Sequence, residues 1–223
     1  MYQIKLLIDK SKRITVRMSR QAGKTVTIAV RALWYAATHP RTLSLIVAPS
    51  LRQSMIMMDR IQAFIYAMNP EDRKRLIAKV QRTVIWFRNG SQIVALPCSP
   101  NLLRGYTAHQ VLIDEAAFFR DDEVIFYNVL YPMMATTNGT LIASSTPWGK
   151  DSVFYKINTH PEISKAWSKH YVPWQACVKP HGPIEPSFIE EVKQVTPIER
   201  FRREYDAEFV EDEDSYFPQD LIT

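Results

Sequence analysis

Four short β-like runs in this chain each end in polar residues, and that repeated pattern constrains the fold more than any other feature. Arg13–Met18 (RITVRM) leads into Ser19-Arg20-Gln21-Ala22-Gly23-Lys24-Thr25, and Leu43–Ala48 (LSLIVA) leads into Pro49-Ser50. Residues 111–113 lead into Asp114-Glu115, and residues 140–144 (TLIAS) into Ser145-Thr146-Pro147. Apolar runs without polar alternation read as strands covered on both faces. Between them, Lys24–Thr38 and residues 53–68 carry apolar side chains at helical spacing. Strands alternating with helices predict an α/β fold, with a mostly parallel central sheet flanked by helices. Such sheets bind ligands at the carboxyl ends of their strands, which is where the polar residues fall.

The remaining chain fills in the periphery. Asn89-Gly90 predicts a hairpin within residues 80–96. Residues 153–158 read as a short helix and 167–172 as a strand. Residues 186–194 and 197–205 read as helices with proline in the first turn. Four prolines and one glycine in 173–186 predict a boundary between a core, 1–172, and a small C-terminal lid or linker piece, 173–223. The methionines Met55, Met57, Met58 and Met68 read as core filler. Two cysteines make no disulfide framework, no apolar run approaches the ~20 residues that span a bilayer, and the N-terminus lacks a signal peptide's apolar stretch. The chain therefore reads as soluble and intracellular, with Cys98 and Cys177 as buried free thiols. A zinc pairing of Cys177 with His181 lacks two further ligands.

Three of the strand ends carry chemistry. Ser19–Thr25 sits between a strand and a helix, so its loop N–H groups and the helix dipole face the same point, as in a phosphate cradle. Lys24 is placed to reach β- and γ-phosphates, and the Thr25 hydroxyl to ligate Mg²⁺. Met18 stands where the Walker A pattern asks for glycine, and an ordinary helix start would use the same residues. Asp114 is placed to hold Mg²⁺. Glu115, pointing differently, can polarise a water in line with the γ-phosphate, although an acid pair also caps helices. The hydroxyls of Ser144, Ser145 and Thr146 can sense the γ-phosphate, or simply close a turn.

Charge is unevenly spread. Seven acids and no base occupy 204–214, so residues 1–203 carry 28 basic and 15 acidic side chains, a balance of +13. A body this basic attracts polyanions, nucleic acid first, or else is a solvated basic surface. The acids of 204–214 are too contiguous for a folded metal cage and read as a solvated face.

In this order the motifs resemble the ATPase domain of the viral terminase large subunit, the motor that packages DNA into empty capsids. SRQAGKT is similar to the family's deviant Walker A loop, VLIDEAAF to its Walker B segment and SSTP to its coupling motif. Tyr2-Gln3 resembles the adenine-contacting segment, and Leu103-Arg104-Gly105 the Arg-Gly loop before Walker B. The resemblance implies an ASCE-type P-loop NTPase fold that binds ATP and Mg²⁺. ATP contacts fall to Tyr2, Gln3, Ser19, Arg20, Gln21, Ala22, Gly23, Lys24 and Thr25. Thr25 and Asp114 hold the metal and Glu115 activates water. Arg20 approaches the γ-phosphate from within the subunit, Arg104 serves as an arginine finger in its own or a neighbouring site, and Ser144, Ser145 and Thr146 couple hydrolysis to motion. Implied partners are double-stranded DNA, a ring of identical subunits, the portal and the small terminase subunit, in the host cell cytoplasm and with no membrane. Full-length members continue into a nuclease domain with clustered acidic ligands. Residues 216–223 fall about where the linker to it begins, so no nuclease activity is expected of this chain. A helicase-like DNA-dependent ATPase and a catalytically idle DNA-binding or assembly module are the alternative readings.

Overall fold

The computed structural model of the protein describes residues 2–210. Eight strands form one sheet: β1 (Arg13–Met18), β2 (Leu43–Ala48), β3 (Ile77–Val80), β4 (Val84–Phe87), β5 (Gln92–Pro97), β6 (Gln110–Asp114), β7 (Thr140–Ser145) and β8 (Ser168–Val172). Their spatial order is β3-β4-β5-β2-β6-β7-β1-β8. From β5 to β8 every neighbouring pair is parallel. At one edge the β3–β4 and β4–β5 pairs are antiparallel, so β4 runs against its neighbours while β3 runs with β5. β7 therefore lies between β1 and β6, inserting the hydroxyl-rich strand end between the phosphate-loop strand and the acidic strand. That order is the ASCE arrangement.

Residue alternation along the strands divides the interior into two cores, because successive side chains point to opposite faces. Ile14, Val16 and Met18 of β1, with Ile46, Leu112 and Ile142, pack beneath three helices: α1 (Tyr2–Ile8), α2 (Lys24–Thr38) and α3 (Leu51–Ala67). Leu45, Val47, Val111, Ile113, Leu141 and Ala143 face the other way, against Phe126, Leu130, Phe154 and Trp167. β2 and β6 are central strands buried on both faces, which is why LSLIVA and QVLID carry no polar alternation. α2 buries Ile28, Ala29, Ala32, Leu33 and Ala36. α3 starts at Ser50, whose hydroxyl accepts from the Gln53 N–H, and buries Met57, Met58, Ile61 and Ile65. Met57 and Met58 are core residues as expected, whereas Met55 and Met68 are only partly buried.

Two local readings are corrected, and one helix had no reading. The hairpin at Asn89-Gly90 forms, with Gly90 at φ +85°, but it joins β4 to β5. Val80 ends a separate strand, β3, which returns to pair with β4. α1 has no strong sequence signal, since a seven-residue helix with one fully buried side chain, Leu6, carries little periodicity. Cys98 is half-buried rather than buried, and burial pushes its thiol up to about 12. The proline-rich stretch after β8 brings Cys177 and Ile184 into the α1–α3 core, and Ile189 and Phe201 follow them there. Among the described residues no helix is long and apolar enough to cross a membrane.

Candidate active site

The carboxyl edge of β1, β6 and β7 carries a cleft of about 400 Å³. The phosphate loop forms one wall. Ser19 is fixed by its N–H, which donates to the Val172 carbonyl at the end of β8 (2.8 Å). Gln21 sits at φ +61° and Gly23 at φ +80°, so the chain turns sharply before α2. The positive φ favours glycine at position 23, where a Cβ would meet only the movable tip of the Gln3 side chain (Nε2, 2.8 Å). Tyr2 donates its phenol to the Ala22 carbonyl (2.8 Å). Tyr2 and Gln3 thus support the loop from behind. The loop opens straight onto the amino end of α2, whose dipole favours an anion.

Four side chains from remote segments converge below that loop. The Lys24 ammonium lies 3.2 Å from Glu115 Oε1 and 3.7 Å from Asp114 Oδ1, and the residue is only 8% exposed. The Thr25 hydroxyl donates to Asp114 Oδ2 (3.0 Å). Each carboxylate is in turn held by β7. Ser144 Oγ donates to Asp114 Oδ1 (3.0 Å), and Ser145 Oγ to Glu115 Oε2 (3.2 Å). Glu115 adopts the left-handed region (φ +55°), a conformation that a glutamate holds only where its surroundings enforce it. This backbone turn separates the two acids, so Asp114 faces Thr25 while Glu115 faces Lys24 and the cleft.

The three hydroxyls at the carboxyl end of β7 divide their work. Ser144 and Ser145 are fully buried and orient the acids, and only Thr146 lines the cleft. Arg20 also lines it, with its guanidinium 3.3 Å from Glu204. Arg104 lies elsewhere, exposed at the end of the short helix Pro100–Leu103 and outside the cleft lining.

Sequence reasoning missed Gln53, Arg60, Phe118 and Glu204, all of which line the cleft. Gln53 and Arg60 are seven residues apart on α3, hence on one helix face. The polar end of β2 was the available signal, had the helix been projected from Ser50. For Glu204 the expectation was wrong. It is not part of a solvated face, because its side chain is only 14% exposed and turned into the cleft. A run of acids carries no information about such a long-range contact. Residues 211–214 of that run, and 216–223, lie outside the described residues.

Strand order, phosphate loop and converged acids together define a P-loop NTPase of the ASCE type. The family model for the N-terminal region of the terminase large subunit, T4likevirus-type, matches residues 16–223, and the chain belongs to that family. The terminase large subunit of Thermus phage G20c is 24% identical over 253 aligned positions, covering 97% of this chain and 50% of its own length. The chain thus spans about half the length of the curated relatives it matches. The large terminase ATPase domain of Thermus phage P74-26 superimposes with a TM-score of 0.76 at 21% identity, covering 94% of this chain and 93% of that one. The large terminase of another thermophilic bacteriophage, in complex with ATP-gamma-S, gives 0.71 at 13% identity, covering 94% and 52%.

Proposed function

We infer that this chain hydrolyses ATP at the carboxyl edge of the sheet, and that hydrolysis drives double-stranded viral DNA into a procapsid. The observation that carries the reading is the convergence of Lys24, Thr25, Asp114 and Glu115, with the contacting atoms 3.0–3.7 Å apart. The loop N–H groups and the α2 dipole receive the phosphates. Lys24 exchanges its carboxylate partners for the β- and γ-phosphates. Glu115, held by Ser145, takes the water that attacks in line. Arg20 swings toward the γ-phosphate. Tyr2 and Gln3 place α1 beside the loop, where the adenine end of the nucleotide would lie.

The donor set at Thr25 and Asp114, a hydroxyl and a carboxylate, suits a hard cation such as Mg²⁺. When bound, that ion would neutralise charge on the β- and γ-phosphate oxygens. Arg104 is exposed and away from its own cleft, so in this reading it would act as a finger in a neighbouring subunit's site. The acids at 204–208 are individually occupied: Glu204 by Arg20, Asp206 by Gln175 and Glu208 by Arg202. They therefore do not form a nuclease metal cage in this reading.

Basic side chains crowd the antiparallel edge, where Lys74, Arg75, Lys79, Arg82 and Arg88 are exposed around β3 and β4. That edge suits the DNA phosphate backbone. The test is ATP turnover with and without duplex DNA. Turnover stimulated by DNA, with binding that weakens steeply as salt rises, is expected. Turnover indifferent to DNA, or binding indifferent to salt, would overturn the motor reading.

A further inference from the structure

α1 is held less by apolar packing than by a buried polar anchor at its carboxyl end. Its one fully buried side chain is Leu6, while Ile4 and Ile8 are exposed. Arg31 of α2 donates from Nη1 to the carbonyls of Leu6 (2.7 Å) and Leu7 (3.3 Å), and from Nη2 to that of Asp9 (2.6 Å). A helix end leaves such carbonyls without partners of its own. The Asp9 carboxylate ties the same end to β8. Its Oδ2 accepts from Ser168 Oγ (2.6 Å) and His170 Nε2 (2.8 Å), and its Oδ1 accepts the Ser11 N–H (2.8 Å). Arg31 is 7% exposed, and the Asp9 and His170 side chains are 11% and 13% exposed.

Burying a guanidinium and a carboxylate is a poor way to gain stability, because desolvation offsets their attraction. What the cluster supplies is direction. It fixes α1 to the two elements that flank the phosphate loop: α2, which starts at Lys24, and β8, whose Val172 carbonyl accepts the Ser19 N–H. At the opposite end of α1, Tyr2 bonds the Ala22 carbonyl and the Gln3 amide lies beside Gly23. Gln3 is six residues from Asp9, a lever of about 9 Å at helical rise. A tilt of about 10° at the anchored end would therefore shift Gln3 by roughly 1.5 Å, enough to lose a hydrogen bond there.

We propose that Arg31, Asp9 and His170 are positioning residues that aim α1 so that Tyr2 and Gln3 meet the base of the nucleotide. They act on recognition of the base and not on the chemistry at the phosphates. This rests on the reading of Tyr2-Gln3 as the adenine-contacting segment. The groups around the phosphates do not depend on the anchor. Lys24, Thr25, Asp114 and Glu115 hold one another, with Ser144 and Ser145, through contacts that involve none of the three. The loop also keeps its own bonds, from the Ser19 N–H to Val172 and from the Ala22 N–H to the Ser19 carbonyl. Loosening the anchor therefore weakens a ligand that carries a base and spares one made of phosphates alone.

The test measures ATP turnover by the 223-residue chain with Mg²⁺, and its inhibition by inorganic tripolyphosphate, for the parent, His170→Ala and His170→Gln. His170→Ala should raise KM for ATP about two- to tenfold, the scale of one hydrogen bond. It should leave kcat and the tripolyphosphate inhibition constant unaltered. His170→Gln keeps an N–H for Asp9 and should restore most of the parent's KM. A parental KM in His170→Ala, an equal loss for tripolyphosphate, or no recovery in His170→Gln would overturn the anchor. Arg31→Lys keeps the charge but loses the forked grip on three carbonyls, and it carries the same expectation should His170→Ala fail to fold. Gln3→Ala should give the same selective loss for ATP. An ATP-to-tripolyphosphate ratio unaltered by Gln3→Ala would instead strike the underlying assignment of Tyr2-Gln3.

Discussion

Replacing Lys24 by methionine keeps the aliphatic stem but removes the one cation that two acids share. At an effective dielectric of about 20, charges 3.2 Å and 3.7 Å apart attract by roughly 5 and 4 kcal/mol. Much of that is offset by the desolvation of an ammonium only 8% exposed. Removing one partner of a buried pair typically costs about 3–5 kcal/mol. Because Glu115 is 30% exposed and therefore partly screened, the expected loss is nearer ~2–3 kcal/mol. For a chain of this size that lowers Tm by roughly 4–12 °C. The assay is urea and thermal unfolding without nucleotide and with a chelator present. Glu115→Gln in the Lys24→Met background removes the like charge beside Asp114 and should recover more than half of the loss. A Lys24→Met chain as stable as the parent, or one that Glu115→Gln destabilises further, would refute the convergence of these three side chains.

Other consequences can be measured separately. Glu115→Gln should abolish phosphate release while ATP binding stays measurable, and unaltered turnover would remove Glu115 from the chemistry. Ser144→Ala deletes a buried hydroxyl bonded to the Asp114 carboxylate and should cost about 1.5–3 kcal/mol in urea unfolding, so a neutral result would deny that contact. Burial pushes the Asp9 carboxyl up, but hydrogen bonds from Ser168, His170 and Ser11 outweigh it and hold the group well below the usual carboxylate range. Its stabilising contribution is therefore complete above about pH 4 and is lost as pH falls through the folded value. Asp9→Asn should destabilise at pH 7, with the gap closing in strong acid, and a gap independent of pH would contradict this. Mixing Arg104→Ala with Glu115→Gln subunits should partly restore DNA-stimulated turnover, and no restoration would argue against a finger acting between subunits.

Much of the fold was legible because buried strands and amphipathic helices leave local signatures. LSLIVA and the Lys24–Thr38 helix fall where their periodicity puts them. β3 and α1 were not legible, since each is short and gains its order from neighbours rather than from its own pattern. Lys24, Thr25, Asp114 and Glu115 could be found because each follows an apolar run at a strand end. That Ser144 and Ser145 would turn inward to hold the acids depended on β7 lying between β1 and β6, an order that no local pattern encodes. Glu204 was misjudged for a related reason. Its burial comes from Phe201 and Phe209 anchoring the Arg202–Asp206 turn on either side, while the acids around it suggested only solvent.

A crystal structure with Mg²⁺ and a non-hydrolysable ATP analogue addresses the central claim directly. The triphosphate should lie in the loop of residues 19–25, with Lys24 on its terminal phosphates, the metal at Thr25 and Asp114, and Glu115 facing the γ-phosphate. An analogue seated instead among Lys5, Lys169 and His181, beyond β8, with Lys24 still bound to its two carboxylates, would contradict it.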